Sequence, residues 1–307
     1  MDPIDLVRQE KIKRYFRATR KLNAPNLISH ITQRAAGKEP LFLEDNDYLF
    51  MLWLMKETSQ NYSVTMYAFC LMPNHIHILL SPSRKNLSDA MRDLFARYAM
   101  KFNRKYERKG HLFGGPYRQA VCIDDSYLLA ASLYIHLNPV KAGLARNPED
   151  YRWSSIRLYC DNDAPKSFIN SHFILGLLSD DQLRRNEQYQ LLLKKGSELN
   201  ARLVLEQEDA IERFRLKLAS IFPSAFKRAD KKRKVARSLS PNLISLEELE
   251  THIEAVKNMR FPNRPESRKA KKYLIEQLIA RGYKRSEVAE LLGVSRKTVY
   301  NIIKVPL

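Results

Sequence analysis

Two apolar runs separated by Pro-Asn constrain the fold more than any other feature of the chain. They form YSVTMYAFCLMPNHIHILLSP, residues 62–82. Each run is rich in β-branched and aromatic residues and has the length of a strand, and Pro-Asn is a turn signal, so the pair predicts an antiparallel hairpin. The second run carries His75 and His77. Residues i and i+2 of a strand share a face, so both imidazoles project to one side and Ile76 and Ile78 to the other. Two nitrogens so spaced can chelate one divalent ion. An isolated His-x-His, however, is ordinarily a pair of half-exposed imidazoles with no metal, so further residues must support the site.

The flanking segments predict a sheet with helices. ISHITQRA (28–35) alternates as a strand does. A helix is expected over 46–59, with Leu49, Leu52, Trp53 and Lys56 at helical spacing. LSDAMRDLFARYAMKFNRKY is a long amphipathic helix opened by Asn86 or Ser88, and RKGHLFGGPYRQA is a basic, glycine-containing loop running into a short strand. DDSYLLAASLYIHLN is a helix capped by Asp124 or Asp125 and stopped by Pro139. The order strand, helix, strand, strand, helix, strand, helix predicts an α+β fold. Its core is a ferredoxin-like antiparallel sheet with packed helices, followed by an all-α C-terminal region. The expected division is a sheet domain over 1–165, a helical extension and basic linker over 166–264, and a helical module over 265–307. KRADKKRKVAR (227–237) reads as a solvated linker, with phosphate contact as the alternative.

The formal net charge of +19 calls for a polyanionic partner, most simply nucleic acid. YLFMLWLM (48–55) is too short to span a bilayer, so no membrane partner is expected. The N-terminus has no signal-peptide core, and Cys70, Cys122 and Cys160 have neither metal nor disulfide spacing. The expectation is a cytoplasmic protein in a reducing compartment.

In YIHLNPV, Tyr134 and Asn138 are four residues apart and share a helix face. An ion held by two imidazoles and one amide oxygen keeps positions open for phosphodiester oxygens. A phenol, with a pKa near 10, becomes a better nucleophile beside a cation. With 15 tyrosines in the chain, spacing alone favours a core tyrosine at Tyr134.

The stretches HITQRA, YAFCLMPNHIHILLSPS, YERKGHLFGGPYRQ, YIHLNPVKAGL and YRWSSIRLY resemble the REP-associated tyrosine transposases, members of the single-tyrosine HUH (His-hydrophobe-His) superfamily, IS200-like. The resemblance covers roughly residues 10–175. It implies that His75, His77 and Asn138 are ligands of Mg²⁺ or Mn²⁺ and that Tyr134 is the nucleophile. It also implies strand transfer on single-stranded DNA hairpins through a 5′-phosphotyrosine and a free 3′-OH, without ATP. Arg104, Lys105, Arg108, Lys109 and Arg118 are the candidate phosphate contacts. Tyr106, Phe113 and Tyr117 either stack on bases or pack in the core. GGPYRQ departs from the family's more usual Gln-Gly-Arg. Tyr127, on nearly the same helix face, is a rival to Tyr134, and His136 is expected to be a surface or packing residue.

RSEVAELLGVSRKTVYNIIK (285–304) is a helix-turn-helix pattern. Ala289 suits a helix crossing, Gly293 the turn, Val294 and Val299 the interior, and Ser295 the second cap. Arg296, Lys297, Thr298 and Asn301 would face duplex DNA. The reading is a DNA-strand transferase with an added duplex-binding module. The alternative is a non-catalytic DNA-binding regulator, and a structural zinc protein lacks the ligands. A homodimer is left open.

Overall fold

The computed structural model describes residues 15–16, 21–37, 39–122, 124–199, 210–232, 234–235, 246–257, 265–280 and 285–304. The chain forms two compact units, one spanning 15–238 and the other containing 239–307.

The larger unit is built on strands β1 (Tyr15–Phe16), β2 (Ser29–Arg34), β3 (Val64–Met72), β4 (His75–Pro82) and β5 (Arg118–Val121). Their spatial order is β1-β5-β2-β4-β3, and each pair is antiparallel. The hairpin forms as expected: Pro73 and Asn74 are the turn, and Met72 pairs with His75. Helix α1 (Asp45–Asn61) joins β2 to β3, and α2 (Leu87–Lys105) joins β4 to β5. The order β2-α1-β3-β4-α2-β5 with sheet order 5-2-4-3 is the ferredoxin-like arrangement. Ile31, Ile76, Ile78, Leu80, Phe69 and Leu71 on one sheet face pack with Met51, Leu54, Met55, Leu94 and Tyr98 from the two helices.

The residues read at helical spacing do not mark the inward face of α1. Leu49 and Trp53 are exposed, and Tyr48, Met51, Leu54, Met55 and Thr58 are buried. YLFMLWLM is apolar all round, so its spacing selects no single face. Trp53 stacks on Phe50 outside the core, with the Arg97 guanidinium over its ring.

The opposite sheet face is covered by α3 (Asp125–Lys141), in which every residue from 125 to 139 is buried. Asp124 is the N-cap and accepts a hydrogen bond from the Tyr127 amide. The expected stop at Pro139 does not occur there, because the helix runs two residues further. Pro139 loses only one bond of the last turn. The true stop is Gly143, at φ +70°, where Gly143 N–H donates to the Val140 carbonyl and Leu144 N–H to that of Pro139. This is the Schellman pattern, and the left-handed position favours glycine.

The described residues from 166 to 235 belong to the same compact unit as the sheet. Helices α4 (Arg157–Cys160), α5 (Ser171–Leu175), α6 (Gln182–Glu198), α7 (Ala210–Ile221) and α8 (Pro223–Lys232) lie in the same compact unit, and α5 to α8 contact α3. The described part of the expected basic linker is likewise ordered against α3. Asp125 accepts from the backbone amides of Lys234 and Val235, and Asp230 from that of Ser126. Burial raises the Asp125 carboxyl to about 6. Residues 233 and 236–237 of that run lie outside the described residues.

His136 is a packing residue at the centre of this layer. It is fully buried between the Tyr189 hydroxyl and the Ser155 hydroxyl, each 2.8 Å from a ring nitrogen. Burial lowers its pKa to about 3. His136→Ala, which leaves a cavity and breaks both bonds, is expected to destabilise this unit by about 3 kcal/mol, measured by urea unfolding. An imidazole held neutral in the fold but titrating near 6.5 when unfolded lets the unfolded state bind the extra proton. Its contribution to stability is therefore present above pH ~6.5 and lost progressively as pH falls toward the folded pKa.

In the second unit, α9 (Leu246–Lys257), α10 (Pro265–Ala280), α11 (Arg285–Leu291) and α12 (Arg296–Lys304) share a core that includes Leu249, Ile253, Leu274, Val288, Ala289 and Val299. Helix α9, before residue 265, thus contributes to the helix-turn-helix core. Gly293 sits at φ +62° in the turn, and the Ser295 hydroxyl caps α12 through the Thr298 amide at 3.1 Å. Arg296, Lys297 and Asn301 are exposed and Thr298 is half-buried. Val294 is only partly buried, whereas Val299 is fully inside.

Candidate active site

Strand β4 lies between β2 and β3, so its outward-alternating side chains occupy the middle of the sheet. His75 is opposite Arg34 and Met72, and His77 is opposite Thr32 and Cys70. The two imidazoles are 4.8 Å apart, centroid to centroid, and nearly perpendicular. The Tyr134 ring stands edge-on to His77 at 6.3 Å. The sheet thus supplies the histidines, and Tyr134 of α3 faces His77 and His30 across one layer boundary; Asn138 lies one turn further along α3.

A third histidine, missed in the sequence, completes the cluster. His30 on β2 stacks on His77 at 5.0 Å, and its Nε2 is 2.8 Å from His77 Nδ1. Thr32 Oγ1 lies 3.4 Å from the same Nδ1. When His77 Nδ1–H donates to His30, His77 Nε2 keeps a lone pair for a ligand. This is the orienting role that an outer partner plays for a metal-binding imidazole. The signal was present in HITQRA, since His30 alternates with Thr32 toward the β4 face, but the pairing that makes it visible is long-range. His75 Nδ1 is 2.7 Å from Asn74 Oδ1. Burial lowers His30 to about 4, with the nearby His75 adding to the effect. Burial also holds His77 well below its ordinary value, helped by His75, His30 and Arg34. Both rings are therefore neutral near pH 7, the form that coordinates cations.

Asn138 supplies the test of fit. Its amide nitrogen donates to the Tyr134 carbonyl at 2.9 Å, which orients the group. Its Oδ1 is buried and has no hydrogen-bond partner. An orphaned buried oxygen acceptor is costly, and a cation satisfies it. The donor set of two imidazole nitrogens and one amide oxygen suits Mg²⁺ or Mn²⁺ with open positions. Among the described residues no group of three or more His, Cys, Asp or Glu is arranged to hold a metal. Burial keeps the Cys70 thiol protonated.

The site is closed in this conformation. Tyr134 is 2% exposed, Asn138 1% and His77 3%. Phe214 of α7 stands edge-on to the Tyr134 ring at 6.2 Å. Tyr127, also fully buried, occupies the preceding turns of α3.

The expected phosphate contacts fall into two groups. The Lys105 ammonium bridges Glu44 and Asp47, and the Arg108 guanidinium pairs with Glu39. Arg104, Lys109 and Arg118 are exposed. The aromatics are committed to packing: Tyr106 donates to Asp47 at 2.8 Å, Phe113 packs on Phe95, and Tyr117 is buried. Gly114 sits where the loop meets the end of β2, and a Cβ there would lie a tight 3.0 Å from the Ala35 carbonyl. Between this loop and α2 lies a cleft of about 730 Å³, lined by Gln33, Phe95, His111, Phe113, Pro116 and Tyr117 among others, away from the histidine face.

Residues 23–138 match the family model described as "Transposase IS200 like". Residues 266–304 match the model of a homeodomain-like domain. No curated protein matches the chain. A solved structure described as "Structure of the REP associates tyrosine transposase bound to a REP hairpin" is similar at 14% identity, covering 49% of this chain and 89% of that chain, with a TM-score of 0.42. Among the described residues no helix is long and apolar enough to cross a membrane.

Proposed function

We propose that this chain is a transposase that cleaves and rejoins single-stranded DNA at hairpin sites, with Tyr134 as nucleophile and His75, His77 and Asn138 as ligands of Mg²⁺ or Mn²⁺. The observation that carries the reading is the orphaned, buried Asn138 oxygen on the helix face shared with Tyr134. A bound divalent ion would supply charge neutralisation and orientation of the phosphate. The Tyr134 hydroxyl attacks phosphorus, the P–O3′ bond breaks, and the chain is left with a 5′-phosphotyrosine and a free 3′-OH. Attack by another 3′-OH reverses the exchange, so no nucleotide cofactor is consumed. Arg104, Lys109 and Arg118 are positioned on the surface to track the backbone. Lys105 and Arg108 would have to exchange carboxylate partners for phosphates.

Labelled hairpin oligonucleotides with single-stranded flanks, incubated with Mn²⁺ or with EDTA and run on denaturing gels, test this reading. A covalent adduct is expected with the ion and none with chelator. An adduct that forms equally well in EDTA would remove the metal from the mechanism.

The exposed Arg296, Lys297 and Asn301 of α12, together with Thr298, support duplex DNA binding by the homeodomain-like unit. Deleting residues 239–307 is expected to weaken duplex binding and flatten its salt dependence, since each lost phosphate contact removes about 0.9 from the log–log slope. Hairpin cleavage should persist. A truncated protein that folds, by circular dichroism, but no longer cleaves would make the tail part of the active site.

A further inference from the structure

Lys141 is used by none of the roles above. It follows Asn138 by three residues and Tyr134 by seven, so it continues their face of α3 into the last turn. Its stem is half-buried, but its ammonium is fully buried and has no hydrogen-bond partner. The nitrogen lies between two aromatic rings, 4.8 Å from the centroid of Tyr134 and 4.4 Å from that of Phe214. Ring faces attract a cation but cannot satisfy three N–H donors. Burial lowers its pKa to about 8, so the amine remains mostly protonated near pH 7. A buried cation with unused donors, stacked on a tyrosine, suits an anion.

The anion that must approach this tyrosine, on the reading above, is the scissile phosphate. We propose that Lys141 is a catalytic residue that binds a non-bridging oxygen of the phosphodiester attacked by Tyr134. The inference rests on Tyr134 being the nucleophile. In the step, the Tyr134 Oη–P bond forms and the P–O3′ bond breaks; the phenol proton leaves to solvent and the 3′ oxygen takes one from solvent. Lys141 keeps its own proton and contributes charge. Charge on the non-bridging oxygens shifts as the tyrosine oxygen enters and the 3′ oxygen leaves, so an ammonium fixed beside them can stabilise that state more than the ground state. Phe214 stands edge-on to the Tyr134 ring in the closed site, and on this proposal a phosphate takes the place of that ring as a neighbour of Lys141.

The test uses the full chain and a hairpin oligonucleotide whose scissile linkage has been located by mapping the adduct. Lys141→Met keeps the stem and the packing and removes the charge; Lys141→Arg keeps the charge. Single-turnover adduct formation is expected to fall about a hundredfold in Lys141→Met, with hairpin affinity and melting temperature unchanged and most of the rate restored in Lys141→Arg. A second substrate carries an uncharged methylphosphonate at the scissile position. On it, wild type and Lys141→Met should react at equal rates, because no negative charge remains for the ammonium to meet. If Lys141→Met folds poorly, Lys141→Gln takes its place. A rate within threefold of wild type on the phosphodiester, or an equal loss on both substrates, would overturn the role of Lys141 while leaving Tyr134 in place. Failure of the wild-type protein to form any adduct would overturn both.

Discussion

Tyr134→Phe will form no covalent protein–DNA species, whatever the metal or the oligonucleotide, and will still bind hairpins. The substitution keeps the ring that Phe214 and the Lys141 ammonium pack against and deletes one oxygen. The stability cost of losing one hydroxyl contact is about 1 kcal/mol, so the protein remains folded and any loss of adduct reports chemistry. Tyr127→Phe is the matched control: it alters a tyrosine of the same helix, buried to the same degree, seven residues away. Its adduct should persist, because Asn138 donates its amide to the carbonyl of Tyr134 and its free oxygen belongs to that turn of α3. Peptide mapping of the wild-type adduct decides between them. An adduct on Tyr127, or one surviving in Tyr134→Phe, would exchange the assignments.

The sheet was legible in the sequence because its signals are local. Pro73-Asn74 sets the hairpin register, and alternation within His75–Ile78 separates a core face from a site face without knowledge of any partner. Tyr134 and Asn138 were legible as a pair for the same reason, since helical spacing alone places them together. The inward face of α1 was not, because an all-round apolar segment carries no periodic signal and only the packed sheet selects Met51 over Trp53. Pro139 was read as a stop by its usual effect, but near a helix end that effect is small, and Gly143 with its two returning amides does the stopping.

What escaped the sequence entirely was long-range. His30 and His77 are 47 positions apart and meet only through strand pairing. The basic run after residue 227 looks solvated because lysine and arginine normally are. Yet the backbone amides of Lys234 and Val235, which composition does not report, are what Asp125 holds. Lys141 was hidden likewise: a lysine in a surface-like motif is unremarked until α7 lays Phe214 over it.

The contrast between His77 and His30 is the sharper test of how the site is built. His77→Ala removes a proposed ligand, and adduct formation should fall by about a hundredfold or more. Hairpin affinity should barely change, since exposed arginines and lysines supply most of it. His30→Ala leaves every proposed ligand in place and removes the partner of His77 Nδ1. Without that acceptor the ring is free to rotate or to adopt the other tautomer, so the loss should be about 10- to 100-fold. That loss should appear as a need for more Mn²⁺, with the rate recovering at saturating ion. His77→Ala should not recover. Titrating Mn²⁺ against adduct yield for both variants separates the cases. A His30→Ala curve that overlies wild type at every concentration would reduce His30 to a packing residue, and one that never recovers would make it a ligand in its own right.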